Sequence, residues 1–227
     1  MGLAAMKHYM AAAHKRRNPN ALLLDLGCGA GHDLTVLESF GLGAVGIDPS
    51  SFMVGVAAGR CQSPLVRAAG ERLPFVERAF AGCWIERVLM HVSDPAILIS
   101  EVVRCLQPGA LLTIFEPDWS NIVINGSTVP AEWVTAAANP GIGSDVGGLL
   151  ASARCTVLDR VEERSWWTYE DFVYITNLGR SLDRAVASGK VSRADADGWT
   201  AELHRQAARG NFRAQANKIL WVATTPL

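Results

Sequence analysis

The residues with the clearest chemical potential lie in a glycine-rich segment. Asp25-Leu26-Gly27-Cys28-Gly29-Ala30-Gly31 follows a short apolar run and precedes a segment, Asp33 to Phe40, that can form a helix. Glycine lets a chain turn sharply and approach a ligand closely, and a helix N-terminus offers free N–H groups to an anion. The spacing predicts a ligand-binding turn between a strand and a helix. The alternative is a glycine-rich turn that binds nothing.

The residues around this turn distinguish two classes of cofactor. A dinucleotide-binding turn requires glycine or alanine at its third marked position, where this chain has His32. Asp25, the acidic residue before the glycines, suits a cofactor that carries an ammonium and a sulfonium group instead of phosphates. The turn therefore favours S-adenosylmethionine over a dinucleotide.

A second carboxylate follows the next predicted strand. Asp48 comes directly after the short run Ala44-Val45-Gly46-Ile47. Its position is near the ~20-residue offset at which an acidic residue binds ribose hydroxyls. This carboxylate can accept hydrogen bonds from both hydroxyls of an adenosine ribose. A capping role at the start of the following helix is compatible with that function.

These residues require an architecture that brings successive strand ends to one edge. Short apolar runs alternate with helical segments along the chain, a pattern typical of βαβ units and a parallel sheet. Ser93-Asp94-Pro95 predicts the cap and first turn of one such helix. Strands are predicted at 21–26, 44–47, 65–66, 81–85, 110–115, 155–161 and 219–223.

Two segments, 117–143 and 166–210, interrupt this alternation. Thr168 with Asp171 and Ser192 with Asp195 have capping-box spacing, which predicts two helices in the second segment. We interpret both segments as a cap over an apolar or aromatic acceptor. The alternative is that their rings only attach the segments to the sheet. The rings concerned are Trp119, Trp133, Trp166, Trp167, Tyr169, Phe172 and Tyr174.

Length, composition and charge narrow the class of protein. A chain of 227 residues, 49% apolar, suits a single domain, 1–227, with a substantial core. The net charge of −1 argues against a nucleic-acid partner. Residues 1–17 predict a short helix, with neither a secretory signal nor a membrane span. The five separated cysteines predict neither a disulfide framework nor a zinc site, as in a reduced, cytoplasmic protein.

In its motifs and their order, the chain resembles the class I S-adenosylmethionine-dependent methyltransferases. Within that family it is most similar to the small-molecule branch, which includes ubiquinone/menaquinone and natural-product methyltransferases. The resemblance covers about residues 20–118 and is carried by five segments, 23–31, 46–50, 71–75, 86–95 and 106–110. It implies a Rossmann-like, doubly wound α/β sheet of seven strands in the order 3-2-1-4-5-7-6, the last strand antiparallel. S-adenosylmethionine would lie across the carboxyl ends of strands one, two and four.

The same resemblance implies a set of cofactor-binding residues. They are Asp25, Gly27, Cys28, Gly29 and Gly31 for the methionine part, Asp48 for the ribose, Pro49, Met53, Gly70 and Glu71 near the adenine, and Glu86 and Arg87 for the methionine end. The chain departs from the family at Ala69, where an aspartate commonly binds the adenine amino group. The loss of that hydrogen bond is worth only ~1 kcal/mol, so we expect binding to survive.

His91 and Glu116 are the candidate catalytic residues, with Asp118 as a rival base or polar anchor. They follow strands at the edge where open α/β sheets bind ligands. A histidine with a pKa near ~6.5 can take a proton from an acceptor hydroxyl, although a histidine packed against nearby backbone is the alternative. Methyl transfer also proceeds without a strong base, because the sulfonium is already activated and alignment carries much of the rate.

These residues predict methyl transfer to a small, apolar or aromatic molecule in natural-product or quinone biosynthesis, without a metal, a nucleic acid or a membrane. Enzymes that methylate nucleic-acid amino groups carry Asn/Asp-Pro-Pro-Tyr/Phe after the fourth strand, where this chain has Ile85-Glu86-Arg87-Val88. One alternative is an enzyme of the same fold that catalyses cyclisation or hydrolysis. Another is a non-catalytic binding module. Both a monomer and an oligomer are compatible with the sequence.

Overall fold

The computed structural model describes residues 3–227, apart from the side chains of residues 3 and 165. The predicted helix at 1–17 therefore lies partly outside the described residues. The strands are β1 (Leu22–Leu26), β2 (Gly43–Asp48), β3 (Leu65–Arg67), β4 (Phe80–Glu86), β5 (Leu106–Ile124), β6 (Ser127–Thr128), β7 (Thr156–Trp167) and β8 (Ala214–Thr224). The helices are α1 (Leu3–Arg17), α2 (His32–Ser39), α3 (Ser51–Ala58), α4 (Pro95–Cys105), α5 (Ala131–Val134), α6 (Ile142–Ser152), α7 (Tyr169–Thr176), α8 (Leu178–Ala187) and α9 (Arg193–Ala208).

The strands form one sheet in the order β3-β2-β1-β4-β5-β8-β7, and the two-residue β6 pairs with β5 off this path. The strands from β3 to β5 run parallel. β8 runs antiparallel to β5, because Thr225 N donates to Ala110 O at 3.1 Å whereas Asn125 N donates to Arg213 O at 2.8 Å. Leaving β6 aside, this is the predicted order with the predicted antiparallel strand, so the fold prediction is confirmed.

β5 is longer than its sequence pattern predicted. The expected strand ended at residue 115, but β5 continues to Ile124. The register between β4 and β5 ends at Glu86 and Phe115, so Pro117, which has no N–H to donate, lies beyond that ladder. Further along, the Asn125–Arg213 hydrogen bond shows that β8 continues to supply partners on the other side. The predicted end was wrong because these partners are remote in sequence.

The predicted helix caps are confirmed. Asp94 accepts the N–H groups of Ala96 and Ile97, each at 3.0 Å. Thr168 and Ser192 accept the N–H groups three residues further on, at 3.2 and 3.1 Å, and so begin α7 and α9. The prediction of two helices in the second segment missed α8, which begins at Leu178 directly after α7 ends.

The chain divides into two compact units. The first contains the described residues up to Glu116, then Asp145–Val161 and Leu220–Leu227; the second contains Pro117–Ser144 and Glu162–Ile219. In the second unit Trp119 and Trp167 are buried with ring centroids 5.8 Å apart, whereas Trp166 and Tyr174 are exposed. No helix in the described part of the chain is long and apolar enough to cross a membrane.

In the first unit, α1 packs on the face of the sheet that carries Leu23 and Trp84, through Met6 and Met10. His14, also on α1, is buried with its Nε2 3.1 Å from Thr113 Oγ1 on β5. A Cβ at position 82 on β4 would lie 2.8 Å from His14 Nδ1, so Gly82 makes room for this ring. α1 is therefore an integral layer of the unit.

Candidate active site

A cavity of about 510 Å³ lies at the carboxyl ends of β1, β2 and β4, within the first unit. Seven predicted site residues line it: Gly27, Asp48, Pro49, Gly70, Glu71, Arg87 and His91. The sequence analysis missed Ser93 and six apolar residues of the cavity wall. The six are Leu26, Ile47, Ala68, Val88, Val92 and Leu98. Such residues carry no chemical signal, although most are neighbours of predicted ones and could have been inferred from that position.

The glycine-rich turn has the conformation that its glycines permit. Gly27, Gly29 and Gly31 have φ values of +72°, +51° and +79°, in the left-handed region that favours glycine. A Cβ at Gly27 would lie 2.4 Å from Val88 Cγ2, so the turn and the segment after β4 approach each other closely only because residue 27 is glycine. Gly31 has a packing role, since its Cβ would meet Ala57 of α3 at 3.1 Å.

Asp48 is held by the chain and retains free acceptor capacity. Its Oδ2 accepts the N–H of Gly29 at 3.1 Å, and its Oδ1 accepts the N–H of Ser50 at 2.8 Å. A carboxylate has about four acceptor positions, so about two remain for a ligand. Ser50 in turn caps α3 through Met53 N. Met53 itself is 38% exposed on α3 and does not line the cavity.

Three carboxylates, Asp25, Asp33 and Glu86, form what we call the carboxylate cluster beside the glycine turn. Asp25 is 1% exposed, and its Oδ2 has no hydrogen-bond partner among the described residues. Lys7 pairs with Asp33 and, at 2.9 Å, with Glu86. Burial, then the neighbouring carboxylates, raise the pKa of Asp25 well above its usual value, and burial likewise raises the pKa of Glu86. Lys7 is thus the buried cation beside these acids, and the exposed Arg87 side chain also contacts Glu86, at 3.2 Å.

Arg87 has a strained backbone at the cavity wall. Its φ of +56° is uncommon for a residue with a side chain. The conformation is held by the hydrogen bond from Arg87 N to Phe115 O, at 2.9 Å, and by the contact of its Nε with Glu86 Oε1 at 3.2 Å. The strained residue therefore joins the end of β4 to Phe115 of β5 at the cavity wall.

The candidate bases occupy different environments. His91 is solvent-accessible in the concave wall of the cavity. Partial desolvation by the surrounding protein, and then the charge of Arg87, lower the pKa of its ring. Glu116 is fully buried, and its Oε1 accepts the N–H groups of Val88 and Leu89 at 2.7 and 2.6 Å. Burial raises the pKa of Glu116 to about 7. Asp118 is also buried and accepts hydrogen bonds from Ser120, Asn121 and Ser144, all within the second unit.

The remaining residues that the sequence analysis singled out are Cys28, Ala69 and Gly70. Cys28 is 5% exposed and outside the cavity lining, and burial raises the pKa of its thiol to about 12, so it is not a nucleophile at neutral pH. Ala69, where the family commonly has aspartate, lies in the cavity wall beside Gly70. A Cβ at Gly70 would lie 2.7 Å from Leu98 Cδ1, so this wall is tight and apolar. Among the described residues, no group of three or more His, Cys, Asp or Glu side chains is placed to hold a metal ion.

Residues 24–114, which include every residue that lines the cavity, match the methyltransferase-domain family. This part of the chain is therefore a methyltransferase domain, as in the class I S-adenosylmethionine-dependent methyltransferases that the sequence resembles. The predicted family and its cofactor, S-adenosylmethionine, are thereby confirmed. The small-molecule branch stays a prediction.

Two relatives illustrate how far the similarity extends. An uncharacterized 37.1 kDa protein in a transposon of Streptomyces fradiae is 33% identical over 226 residues, covering 90% of this chain and 63% of that protein. An uncharacterized methyltransferase of Mycolicibacterium gilvum is 33% identical over 103 residues, covering 44% of this chain and 40% of that protein. The chain thus spans less than two thirds of the length of either relative.

Among solved structures, an S-adenosylmethionine-dependent methyltransferase from Methanosarcina mazei has the same fold. Its TM-score is 0.60 at 17% identity, covering 95% of this chain and 97% of that one. At this level of identity the likeness concerns the fold alone. It agrees with the methyltransferase order of the sheet.

Proposed function

We propose that this protein transfers the methyl group of S-adenosylmethionine to a small molecule. The observation that carries the proposal is the pairing of two features around one glycine turn. On one side lies the carboxylate cluster, with a buried and unpaired Asp25 oxygen. On the other lies the 510 Å³ cavity with the spare acceptor positions of Asp48. An ammonium group suits the first feature and a ribose the second, as this cofactor requires.

The proposal assigns each part of the cofactor to residues in order along the sheet edge. We assign the amino group to Asp25 and Glu86, the ribose to Asp48, and the adenine to the wall formed by Ala69 and Leu98. When bound, S-adenosylmethionine supplies an electrophilic methyl group on a cationic sulfur. The chain contributes alignment of that group with an acceptor and exclusion of water from the cavity.

Where the acceptor must lose a proton, we propose His91 as the base. Its ring is accessible in the cavity, and a lowered pKa keeps it neutral and able to accept a proton at pH 7. Glu116 is the weaker candidate, because its oxygen already accepts two backbone N–H groups of the segment before His91. That arrangement favours a role in positioning Val88 and Leu89. If His91→Gln keeps full turnover while Glu116→Gln loses it, this assignment is reversed.

We further propose that the second unit supplies contacts to an apolar or aromatic acceptor. Trp166 and Tyr174 support this, because they are 63% and 88% exposed, whereas Trp119, Trp167 and Phe172 are buried and serve packing. The double variant Trp166→Ala/Tyr174→Ala should lose acceptor turnover with cofactor affinity unchanged. Phe52→Ala, another exposed aromatic residue but on α3 of the first unit, is the control. Full turnover in the double variant would leave these rings without a role in acceptor binding.

The proposed activity is tested first by binding and then by turnover. Calorimetry should detect S-adenosylhomocysteine and S-adenosylmethionine binding, and no binding of NAD⁺ at the same concentrations. A panel of phenols and quinols incubated with protein and S-adenosylmethionine should yield S-adenosylhomocysteine together with a methylated product in equal amounts. Consumption of cofactor without a methylated product would instead indicate hydrolysis. Binding without consumption would favour a cyclase or a binding module.

A further inference from the structure

We propose that Lys7 is a positioning residue of the cofactor site, whose ammonium group balances the carboxylate cluster and prepares it for the amino group of the cofactor. This inference rests on the proposed function and deepens it. Lys7 lies on α1, before the residues that match the methyltransferase family. The proposal therefore gives α1, a helix outside the matched domain, a role in the cofactor site.

The geometry places Lys7 between two carboxylates from different elements. Its Nζ pairs with Asp33 Oδ1 on α2 and lies 2.9 Å from Glu86 Oε2 on β4. The Lys7 side chain is 15% exposed and that of Glu86 only 1%. A lysine with this degree of burial between two acids is held in one place. Its charge is poorly screened by water and acts strongly on its neighbours.

The surrounding charges leave a need for this cation. The charged or titratable groups that face the cluster from neighbouring elements are three thiols, one acid and one cation. They are Cys28, Cys61, Cys83, Asp48 and Arg87. The Arg87 side chain is 58% exposed, so its charge is largely screened. Lys7 is therefore the buried cation that the described residues bring to these acids.

The direction of each pKa change is consistent with such a role. Burial lowers the pKa of Lys7, but Asp33 and Glu86 outweigh it and raise the value above that of a free lysine, so the side chain stays charged. For Asp25 and Glu86, burial raises the pKa and Lys7 opposes that rise. Without Lys7, these acids would hold protons closer to neutral pH. A neutral carboxyl group holds the cofactor's ammonium group far less strongly.

A purely structural role for Lys7 is the competing explanation, since α1 packs on the sheet. The same helix offers a matched control. Lys15 donates to the carbonyl oxygens of Pro19 and Gly41 at 3.1 and 3.0 Å, away from any carboxylate of the cluster. Lys15→Met removes a lysine and two hydrogen bonds from α1 without changing the charge of the site.

The experiment measures S-adenosylhomocysteine affinity by calorimetry at several pH values from 6 to 9, with the full chain. Lys7→Met should bind about tenfold or more weakly at pH 6 to 7, and the difference from wild type should shrink as the pH rises. One unit of pKa corresponds to a factor of about ten. Lys7→Arg should restore most of the affinity, and Lys15→Met should follow the wild type at every pH.

A second measurement needs no cofactor. Carboxyl groups with raised pKa values in the folded state contribute stability at low pH that is lost as the pH rises through those values. The unfolding midpoint of Lys7→Met in urea should therefore fall more steeply between pH 5 and 8 than that of wild type or Lys15→Met. Asp33→Asn should have the opposite effect on the pH dependence, because Asp33 raises the pKa of both Asp25 and Glu86. Its midpoint should fall less steeply than that of wild type, and this holds even if Lys7→Met does not fold.

The outcomes separate this inference from the proposed function. Lys7→Met with wild-type affinity at every pH overturns it, as does a loss of affinity that is the same at every pH. The second result would make Lys7 a docking residue for α1. A wild-type protein that binds no S-adenosylhomocysteine at any pH would instead refute the proposed function itself.

Discussion

At the scale of single residues, the carboxylates differ in how many hydrogen-bond acceptor positions they use within the chain and how many they leave for a ligand. Asp48 uses part of its carboxylate to accept the N–H groups of Gly29 and Ser50, and its other acceptor positions are those that we propose for a ribose. Glu116 shows the opposite case, since its Oε1 accepts two N–H groups and the residue is fully buried. A carboxylate at the end of β2 and one within β5 therefore differ in the acceptor positions that they leave free, because their surroundings differ.

Substituting Asp48→Ala should weaken S-adenosylhomocysteine binding by about 1.5–3 kcal/mol, the range for hydrogen bonds to a charged group. Asp48→Asn keeps one acceptor oxygen, so its affinity should lie between that of Asp48→Ala and that of the wild type. Calorimetry measures both. Thermal unfolding is the control, because the same carboxylate also holds the turn. Unchanged affinity in a folded Asp48→Ala protein would remove Asp48 from the site.

At the scale of elements, the glycine turn and the segment after β4 form a matched pair. The turn approaches Val88 because residue 27 lacks a side chain, and the segment is held by Arg87 N on Phe115 O and by Glu116. Both lie at the carboxyl ends of parallel strands, where open α/β sheets bind ligands. The site thus depends on the contact between two loops as much as on the residues in either.

Gly27→Ala tests this contact. The new Cβ would lie 2.4 Å from Val88 Cγ2 in a backbone conformation, φ +72°, that alanine rarely adopts, so the turn must shift. We expect at least a tenfold loss of cofactor affinity, together with a loss of stability of about 1 kcal/mol or more. Gly55→Ala in α3 is the matched control. Nothing lies within 4 Å of its Cβ, and alanine should stabilise a helix there by about 0.5–1 kcal/mol. Equal affinity in both variants would contradict the expectation.

At the scale of the whole molecule, two buried groups set opposite pH dependences of stability. Burial lowers the pKa of His14 to about 4, so the folded protein binds fewer protons there than the unfolded chain does. Stability from His14 is present above the unfolded pKa and is lost as the pH falls. Burial raises the pKa of Glu116 to about 7, so its contribution is lost as the pH rises. Between pH 4.5 and 6.5 the two effects oppose each other.

Variants at these two positions should separate the effects. The free energy of unfolding of Glu116→Gln should rise with pH relative to wild type, and that of His14→Gln should fall. Each slope should differ from wild type by at most about 1.4 kcal/mol per pH unit. Urea unfolding between pH 4.5 and 6.5 measures the slopes, which do not depend on the packing lost by the substitution. The double variant should regain the wild-type slope. Four parallel lines would show that neither group titrates as described.

Much of the fold and of the cofactor site follows from local sequence patterns. The alternation of apolar runs and helical segments predicted a parallel sheet, whose strand order the family resemblance implied. Asp94, Thr168 and Ser192 predicted helix starts, because capping needs only residues three positions apart. Asp48 and the glycines were predicted because strand ends of a parallel sheet share one edge. These signals are short-range, and the family resemblance adds the expected position of each along that edge.

Other features depend on residues far apart in the chain, and only the tertiary structure decided them. β5 extends past Phe115 because β8, far away in the sequence, pairs with it. A hydrogen bond joins Asn125, directly after β5, to Arg213, directly before β8 and 88 residues later. Glu116 is directed to the N–H groups of Val88 and Leu89, which no strand-end rule predicts. No sequence pattern pointed to Lys7 or His14. The ion pair of Lys7 with Glu86 and the burial of His14 against Thr113 form only when α1 packs on β4 and β5. Packing sets the dielectric and the distances between charges, so it determines which ionisable groups become functional.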